Sequence, residues 1–278
     1  MNKLLVIGDV IDDIIVVPQG EPRTNTDTAA TIVQTLGGSA SNVASWAARQ
    51  GADVTFVGCV SSKDVERVTK EFERYGVKCD LQRSELNTGS LVVIVESQNR
   101  TMLTDRGANQ DLNFDDLTQH KLSSYRYVHL SGYSIFNKTV EQVQSLITKV
   151  HDSGAFMVVD PGSTGFINDY GISKFKAAIL GVDLLLPNEE EFQVLGSIVK
   201  TTLVTKASAG VDLYVDGVLV ESFSAPVVDS IDPTGAGDSF AGGALAALVN
   251  GVEMRNAITA GINCAAMAVT TLGARPKL

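Results

Sequence analysis

The chain alternates short, unbroken apolar runs with longer segments of mixed polarity. Residues 4–7, 54–57, 127–130, 156–159, 183–186 and 203–205 are such runs. They read as strands covered on both faces, because neither face carries the polar residues that water would select. Helix-like segments lie between many of them. Residues 42–50 are small and apolar and end at Gly51, and residues 64–75 are amphipathic and end at Gly76. Residues 140–151 place Val143, Leu146, Ile147 and Val150 at helical spacing. Strand then helix, repeated, predicts an α/β fold with a mostly parallel sheet and helices on both faces.

Two stretches break this rhythm. Residues 10–17 and 29–36 are β-prone and flank a polar loop with Pro18, Gly20 and Pro22, while residues 90–96 and 100–104 flank the turn Ser97-Gln98-Asn99. Neither pair leaves room for a crossover helix. Together they predict a small extra sheet, residues 10–36 and 89–105, standing as a lid on a large unit of residues 1–9, 37–88 and 106–278. The Ala- and Gly-rich stretch 241–269 predicts close helix packing in the core.

With 278 residues, 44% hydrophobic and 19% charged, the chain has the make-up of a soluble globular protein. Its net charge of −10 argues against nonspecific nucleic-acid binding and against docking on anionic membranes. Cys59, Cys79 and Cys264 are scattered and form no C-x-x-C pair, so a reducing cytoplasm is the expected compartment. The first apolar run is too short for a signal segment or a membrane span. His120, His129 and His151 share no metal-ligand spacing, and neither G-x-S-x-G nor a Walker-type motif is present.

Four segments carry candidate chemistry. Ile231-Asp232-Pro233-Thr234-Gly235-Ala236-Gly237-Asp238-Ser239-Phe240 is a glycine-rich turn feeding an alanine-rich helical run. Gly235, Ala236 and Gly237 would offer free amides at a positive helix end, with Asp238 beside them as a proton acceptor. Gly37-Gly38-Ser39-Ala40-Ser41-Asn42 leads into a helix, and Asn42 can both donate to and accept from a polyhydroxylated ligand. Pro187-Asn188-Glu189-Glu190-Glu191 follows a strand directly, where ligands of open α/β sheets bind. Asn188 and Glu191 share a face there and could hold water around magnesium. Gly8-Asp9-Val10-Ile11-Asp12-Asp13 carries three acids in five residues. Asp13 is favoured for ligand hydroxyls, with Asp9 and Asp12 left as turn or surface residues.

Taken together these segments resemble the ribokinase, or pfkB carbohydrate kinase, family over nearly the whole chain. D-[TP]-x-G-A-G-D-x-F is matched by residues 232–240, G-G-x-x-x-N-x-A by residues 37–44, and N-x-x-E by Asn188 and Glu191. The resemblance implies a Rossmann-like three-layer sandwich with a β lid, and an ATP-dependent kinase acting on a hydroxyl of a small sugar. A nucleoside kinase on the same fold, or a sugar-binding protein that kept the fold, are the alternatives. A nucleoside site would need an aromatic or apolar wall, for which Tyr133 and Phe136 are candidates.

By the same resemblance Asp238 is the catalytic base, and Asp13, Gly38, Ser39, Asn42, Arg106 and Asn109 grip the acceptor. Asn188, Thr205, Lys206, Gly210 and Asn263 attend the nucleotide, and Glu191 with Asn188 organises magnesium through water. Asp160 borders the acceptor site, and Asp232 with the backbone near Gly273 occupies a monovalent-cation position, leaving potassium open. Arg100 and Arg106 are candidates for pairing with the carboxylate of a sugar acid. A homodimer through the lid is a further expectation, since lid strands leave open edges. One departure stands out: in Thr205-Lys206-Ala207-Ser208-Ala209-Gly210, Ala207 replaces the first glycine of the family's T-x-G-x-x-G. If that position needs a positive φ, alanine is strained there.

Overall fold

The structure is a computed structural model that describes residues 2–96 and 99–278. Its strands are β1 (Lys3–Ile7), β2 (Ile11–Pro18), β3 (Ala30–Gly37), β4 (Asp53–Ser61), β5 (Lys78–Ser84), β6 (Gly89–Glu96), β7 (Asn99–Asp105), β8 (Tyr127–Ser131), β9 (Phe156–Asp160), β10 (Leu184–Leu185), β11 (Thr201–Thr205), β12 (Val211–Val215) and β13 (Val218–Phe223). The α-helices are α1 (Ser39–Arg49), α2 (Val65–Glu73), α3 (Gln119–Leu122), α4 (Val140–Asp152), α5 (Thr164–Tyr170), α6 (Ile172–Ala178), α7 (Glu189–Leu195), α8 (Ala236–Val249) and α9 (Met254–Val269).

Nine strands form one sheet in the order β13-β12-β11-β10-β9-β8-β1-β4-β5. Every pairing from β11 through β5 is parallel, and β12 and β13 add on antiparallel. The apolar runs are unbroken because alternate residues feed two cores. Leu4 and Val6 of β1 join the core under α1 and α8, while Leu5 and Ile7 join the one under α4 and α6. The Ala/Gly stretch packs α8 closely on α9: a Cβ on Gly243 would come within 2.5 Å of Cys264 Sγ. No helix among the described residues is long and apolar enough to cross a membrane.

The two irregular pairs do form a second sheet, of four strands in the order β3-β2-β6-β7. Its hairpins are antiparallel and its central β2–β6 pairing is parallel. The turn expected at Ser97-Gln98-Asn99 includes Ser97 and Gln98, which lie outside the described residues. The periodicity missed β5, β12 and β13. Polar residues interrupt each of these strands, so the pattern of a doubly covered strand never develops.

The cysteines and described histidines stay structural. Burial pushes the thiols up, to about 11 for Cys59, about 12 for Cys79 and about 11 for Cys264, so none is poised as a thiolate. His129 is wholly buried in β8, and burial drives it down to about 3, so it stays neutral. His151 meets Asp183 at 2.9 Å.

Candidate active site

In the large sheet the chain runs outward from β1 to β4 and β5, then returns to build β8 through β11 on the other side. The order therefore reverses between β1 and β8. Open α/β sheets bind ligands outside the strands' carboxyl ends at such a point. A cleft of about 630 Å³ opens there, lined by residues that follow β1, β8, β9, β10 and β11, by the starts of α1 and α8, and by one face of the small sheet.

Asp238 stands in the first turn of α8, which begins at Ala236, earlier than the alanine-rich run alone suggested. Gly235 caps the helix in the left-handed conformation, φ 75°. Added as a side chain there, a Cβ would lie 2.5 Å from Ala274 Cβ. Gly237 differs: its φ is not positive, and a Cβ on it would meet nothing within 4 Å. Neither backbone strain nor packing requires glycine at 237. Its bareness leaves open space in the cleft beside first-turn amides that have no intrahelical acceptor.

Both Asp238 oxygens are held from α1. Ser39 Oγ donates to Oδ1 and Asn42 Nδ2 to Oδ2, each at 2.8 Å. Burial raises the Asp238 carboxyl to about 7, against the lowering effect of these two donors. Ser39 and Asn42, expected to touch the acceptor, thus also orient the carboxylate. Asn42 Oδ1 is buried without a partner.

Asp13 lines the cleft from β2, and burial raises it to about 7 while Arg275 opposes the rise. Its Oδ1 is buried and unpartnered. A Cβ on Gly37 would sit 2.0 Å from Asp13 Oδ2, so a side chain there would displace that carboxylate. Gly38, at φ 99°, would bring a Cβ within 2.7 Å of the Asp9 carbonyl. Asp9 is not a surface residue: it is buried, and it accepts from Ser39 N at 2.8 Å and Ala40 N at 3.3 Å, capping α1. Asp12 pairs with Arg67 through two bonds, at 2.9 and 2.8 Å, and lies on the other face of the small sheet.

Asn188 and Glu191 form a capping box on α7. Glu191 N donates to Asn188 Oδ1, and Glu191 accepts from Asn188 N and Nδ2. Burial raises Glu191, and it raises Asp160 further, with Glu191 and Asp238 adding repulsion. Among the described residues no group of three or more His, Cys, Asp or Glu side chains could hold a metal ion. Asn188 and Glu191 both line the cleft and are oxygen-bearing groups of the kind a hydrated magnesium arriving on phosphates would use, since such an ion needs few protein ligands. Asp232 is buried and accepts from Thr234 N and Gly273 N, tying the glycine turn to the segment beside Ala274.

Several expected contacts have other tasks. Asn109 does not line the cleft; its amide accepts from Val10 N and donates to Val10 O and Arg106 O. Thr205 lines the cleft, but Lys206 and Gly210 do not. Lys206 pairs with Asp212 at 2.8 Å, and a Cβ on Gly210 would collide with the Phe223 carbonyl at 1.9 Å. Asn263 lies exposed on α9, away from the cleft lining. The Arg100 side chain lies outside the described residues. Leu91, Met102, Thr104, Ser163 and Phe166 line the cleft without having been read as site residues. Met102 and Thr104 carried a usable signal, the period-two alternation of β7.

Ala207 does adopt the left-handed conformation, φ 48°. Ala207→Gly should therefore raise the unfolding free energy by about 0.5–1 kcal/mol, the relieved strain exceeding glycine's extra chain entropy. Denaturant unfolding measures this, and a loss of stability would show that the turn carries no strain.

The profile of the pfkB family carbohydrate kinases matches residues 1–278. The chain belongs to this family. PfkB-family members are phosphotransferases with hydroxyl acceptors, and this one is a sugar or nucleoside kinase. The ribokinase of Haemophilus influenzae is 25% identical over 311 residues, spanning 100% of this chain and 95% of that protein. Two solved structures share the ribokinase-like fold. Adenosine kinase from Sinorhizobium meliloti superposes with a TM-score of 0.85 at 21% identity, covering 99% of this chain and 96% of that one. Arabidopsis thaliana ribokinase complexed with ribose and ATP gives 0.81 at 23%, covering 98% and 94%. Against this pfkB member's geometry, the three signature segments converge on one cleft.

Proposed function

We propose that this chain transfers the γ-phosphoryl group of ATP to a hydroxyl of a small sugar or sugar derivative, with Asp238 as base. The observation that carries the reading is a carboxylate fixed by Ser39 and Asn42 beside the bare first turn of α8. Asp238 takes the hydroxyl proton, the oxygen attacks the γ-phosphorus, the bond to the β-phosphate oxygen breaks, and ADP leaves. The amides of Gly235 and Gly237, with that of Asp238, offset charge on the transferred group; the Ala236 amide, expected beside them, donates instead to the Pro233 carbonyl at 3.2 Å. Asn188 and Glu191 would hold the waters of a magnesium ion brought by the nucleotide, and that ion would neutralise phosphate charge. Asp13 and Asn42, each with an unpartnered buried oxygen, accept from acceptor hydroxyls. The small sheet, one face of which lines the cleft, closes as a lid that excludes water.

A sugar fits better than a nucleoside. Phe136 does not line the cleft but stacks against Phe166 at 5.1 Å, and Arg106 sits over the Phe166 ring at 4.3 Å. Tyr133 does line the cleft, but Arg106 lies 5.6 Å from its ring centroid and 4.3 Å from that of Phe166, so a base would have to share both rings with the guanidinium. A screen of pentoses, hexoses, sugar acids and nucleosides with ATP and magnesium tests the reading by ADP release. Release that depends on a sugar or sugar acid is expected; release only with nucleosides selects the alternative, and none with any compound ends the kinase reading.

The lid also suits a second copy. Ile32 and Leu103 are 60% and 58% exposed on the edge strands β3 and β7, and Val33 and Met102 are exposed beside them. Sedimentation should give twice the 29.5 kDa chain mass, and Ile32→Lys with Leu103→Lys should return it to one. A monomeric wild type would remove this assembly.

A further inference from the structure

Arg106 is the single lysine or arginine among the described cleft-lining residues, which also include five carboxylates, Asp9, Asp13, Asp160, Glu191 and Asp238. It is mounted rather than paired. Its guanidinium lies 4.3 Å from the Phe166 ring centroid, 5.3 Å from Phe136 and 5.6 Å from Tyr133. These rings also pack on one another, Tyr133 to Phe166 at 5.5 Å and Phe136 to Phe175 at 5.9 Å. Such a mount holds the planar fork in place without neutralising it. Nη1 donates to the Tyr133 carbonyl at 2.5 Å, and Nη2 is buried with no partner. A buried donor left unmade is costly, and costlier on a charged group, so an acceptor should complete it.

Position says which ligand supplies that acceptor. Tyr133 follows β8, next to β1 at the centre of the sheet, whereas Asn188 follows β10 and Thr205 ends β11. Those strands lie two and three places away, roughly 10–14 Å at ordinary strand spacing. Leu91, Met102 and Thr104 of the small sheet line the same cleft. Arg106 therefore attends the acceptor's end and not the nucleotide's.

We propose that the phosphoryl acceptor itself carries an anionic group, a carboxylate or a phosphate, and that Arg106 receives it through Nη2. This rests on the kinase reading above. An anion seated there completes the guanidinium and places its charge on the one lysine or arginine among the described cleft-lining residues. A neutral sugar could give Nη2 a hydroxyl acceptor but would leave the charge unmatched.

The test compares matched acceptors on the wild-type protein, with ATP and magnesium and ADP release as readout: glucose against gluconate, fructose against fructose 6-phosphate, and ribose against ribose 1-phosphate. The anionic member of at least one pair should be favoured by roughly 10–100-fold in kcat/KM, the scale of a hydrogen bond to a charged group. The gluconate arm separates a carboxylate from the phosphate of the other two. Arg106→Gln should bring the favoured ratio to about one, and Arg106→Lys should keep part of it. Neutral members favoured in every pair would overturn the proposal and leave the kinase reading standing. So would an Arg106→Gln variant that weakens ATP use and keeps the acceptor ratio. The absence of ADP release with every compound would remove both readings. The wild-type ratios stand whatever the variants do to folding.

Discussion

Asp238→Asn is expected to lower turnover by roughly 10²–10⁴-fold while the protein folds and still binds its acceptor. The substitution keeps the shape and can keep the hydrogen bonds. An asparagine oxygen can accept from Asn42 Nδ2, and its amide can donate to Ser39 Oγ, since a hydroxyl both donates and accepts. What it loses is the basic oxygen pair. The pH profile gives an independent check. With the carboxyl raised to about 7 by burial, the base is unprotonated above that value, so kcat/KM should fall as pH drops below about 7. Asp13 titrates in the same range, and a limb that survives Asp13→Asn belongs to Asp238. Stability should move the other way. A carboxyl raised in the folded state contributes stability that is full below the ordinary carboxylate range and is lost as pH rises through about 7. Asp238→Asn should therefore melt higher than wild type at pH 8. Near-normal turnover in the variant would take Asp238 out of the chemistry.

Gly235→Ala and Gly237→Ala should have opposite signatures although the residues are two apart. At Gly235 the φ of 75° alone costs alanine about 1–2 kcal/mol. The added methyl would also meet Ala274 Cβ at 2.5 Å and Ala274 Cα at 2.8 Å. That neighbour cannot retreat freely. Trp46 Nε1 donates to the Ala274 carbonyl at 2.8 Å, and Asp232 holds Gly273 N at 3.0 Å. Adding an overpacking cost of about 1–3 kcal/mol, Gly235→Ala should lose about 2–5 kcal/mol of stability and lose activity with it. Gly237→Ala meets no atom, sits inside a helix and should gain about 0.5–1 kcal/mol. On the kinase reading proposed above, its methyl would enter the space the phosphates take, so the KM for ATP should rise. Thermal melts paired with ATP titration check both, and a Gly237→Ala enzyme with unchanged ATP use would mean that phosphates do not lie over this turn.

Much of this was legible along the chain. The doubly covered strands, α1, α2 and α4 follow from apolar spacing and from Gly51 and Gly76 as stops. The small sheet follows from two strand pairs too tightly spaced for a crossover. The glycine turn, the glycine pair and the Asn188–Glu191 spacing each marked a loop that the fold brings to the same cleft. What stayed hidden depends on distance in space. Asp9 looked like a turn acid because only the folded chain sets its carboxylate under the first amides of α1. Asn109 looked like a ligand contact because nothing in its neighbours announces Val10, ninety-nine residues earlier in the chain. Phe166 carried no signal, since its meaning comes from the guanidinium above it. Ala207 was legible as a strained position because a glycine-requiring conformation can be read from a motif alone.

The Asn109 side chain joins the entry and exit of the small sheet at one point. It bonds Val10 just before β2 and Arg106 just after β7, and a Cβ on Gly89, where β6 begins, would come within 2.6 Å of its amide nitrogen. Removing this one carboxamide would take a hydrogen bond from the Val10 amide and from the Val10 and Arg106 carbonyls, so the chain's way into the small sheet and its way out depend on a single side chain.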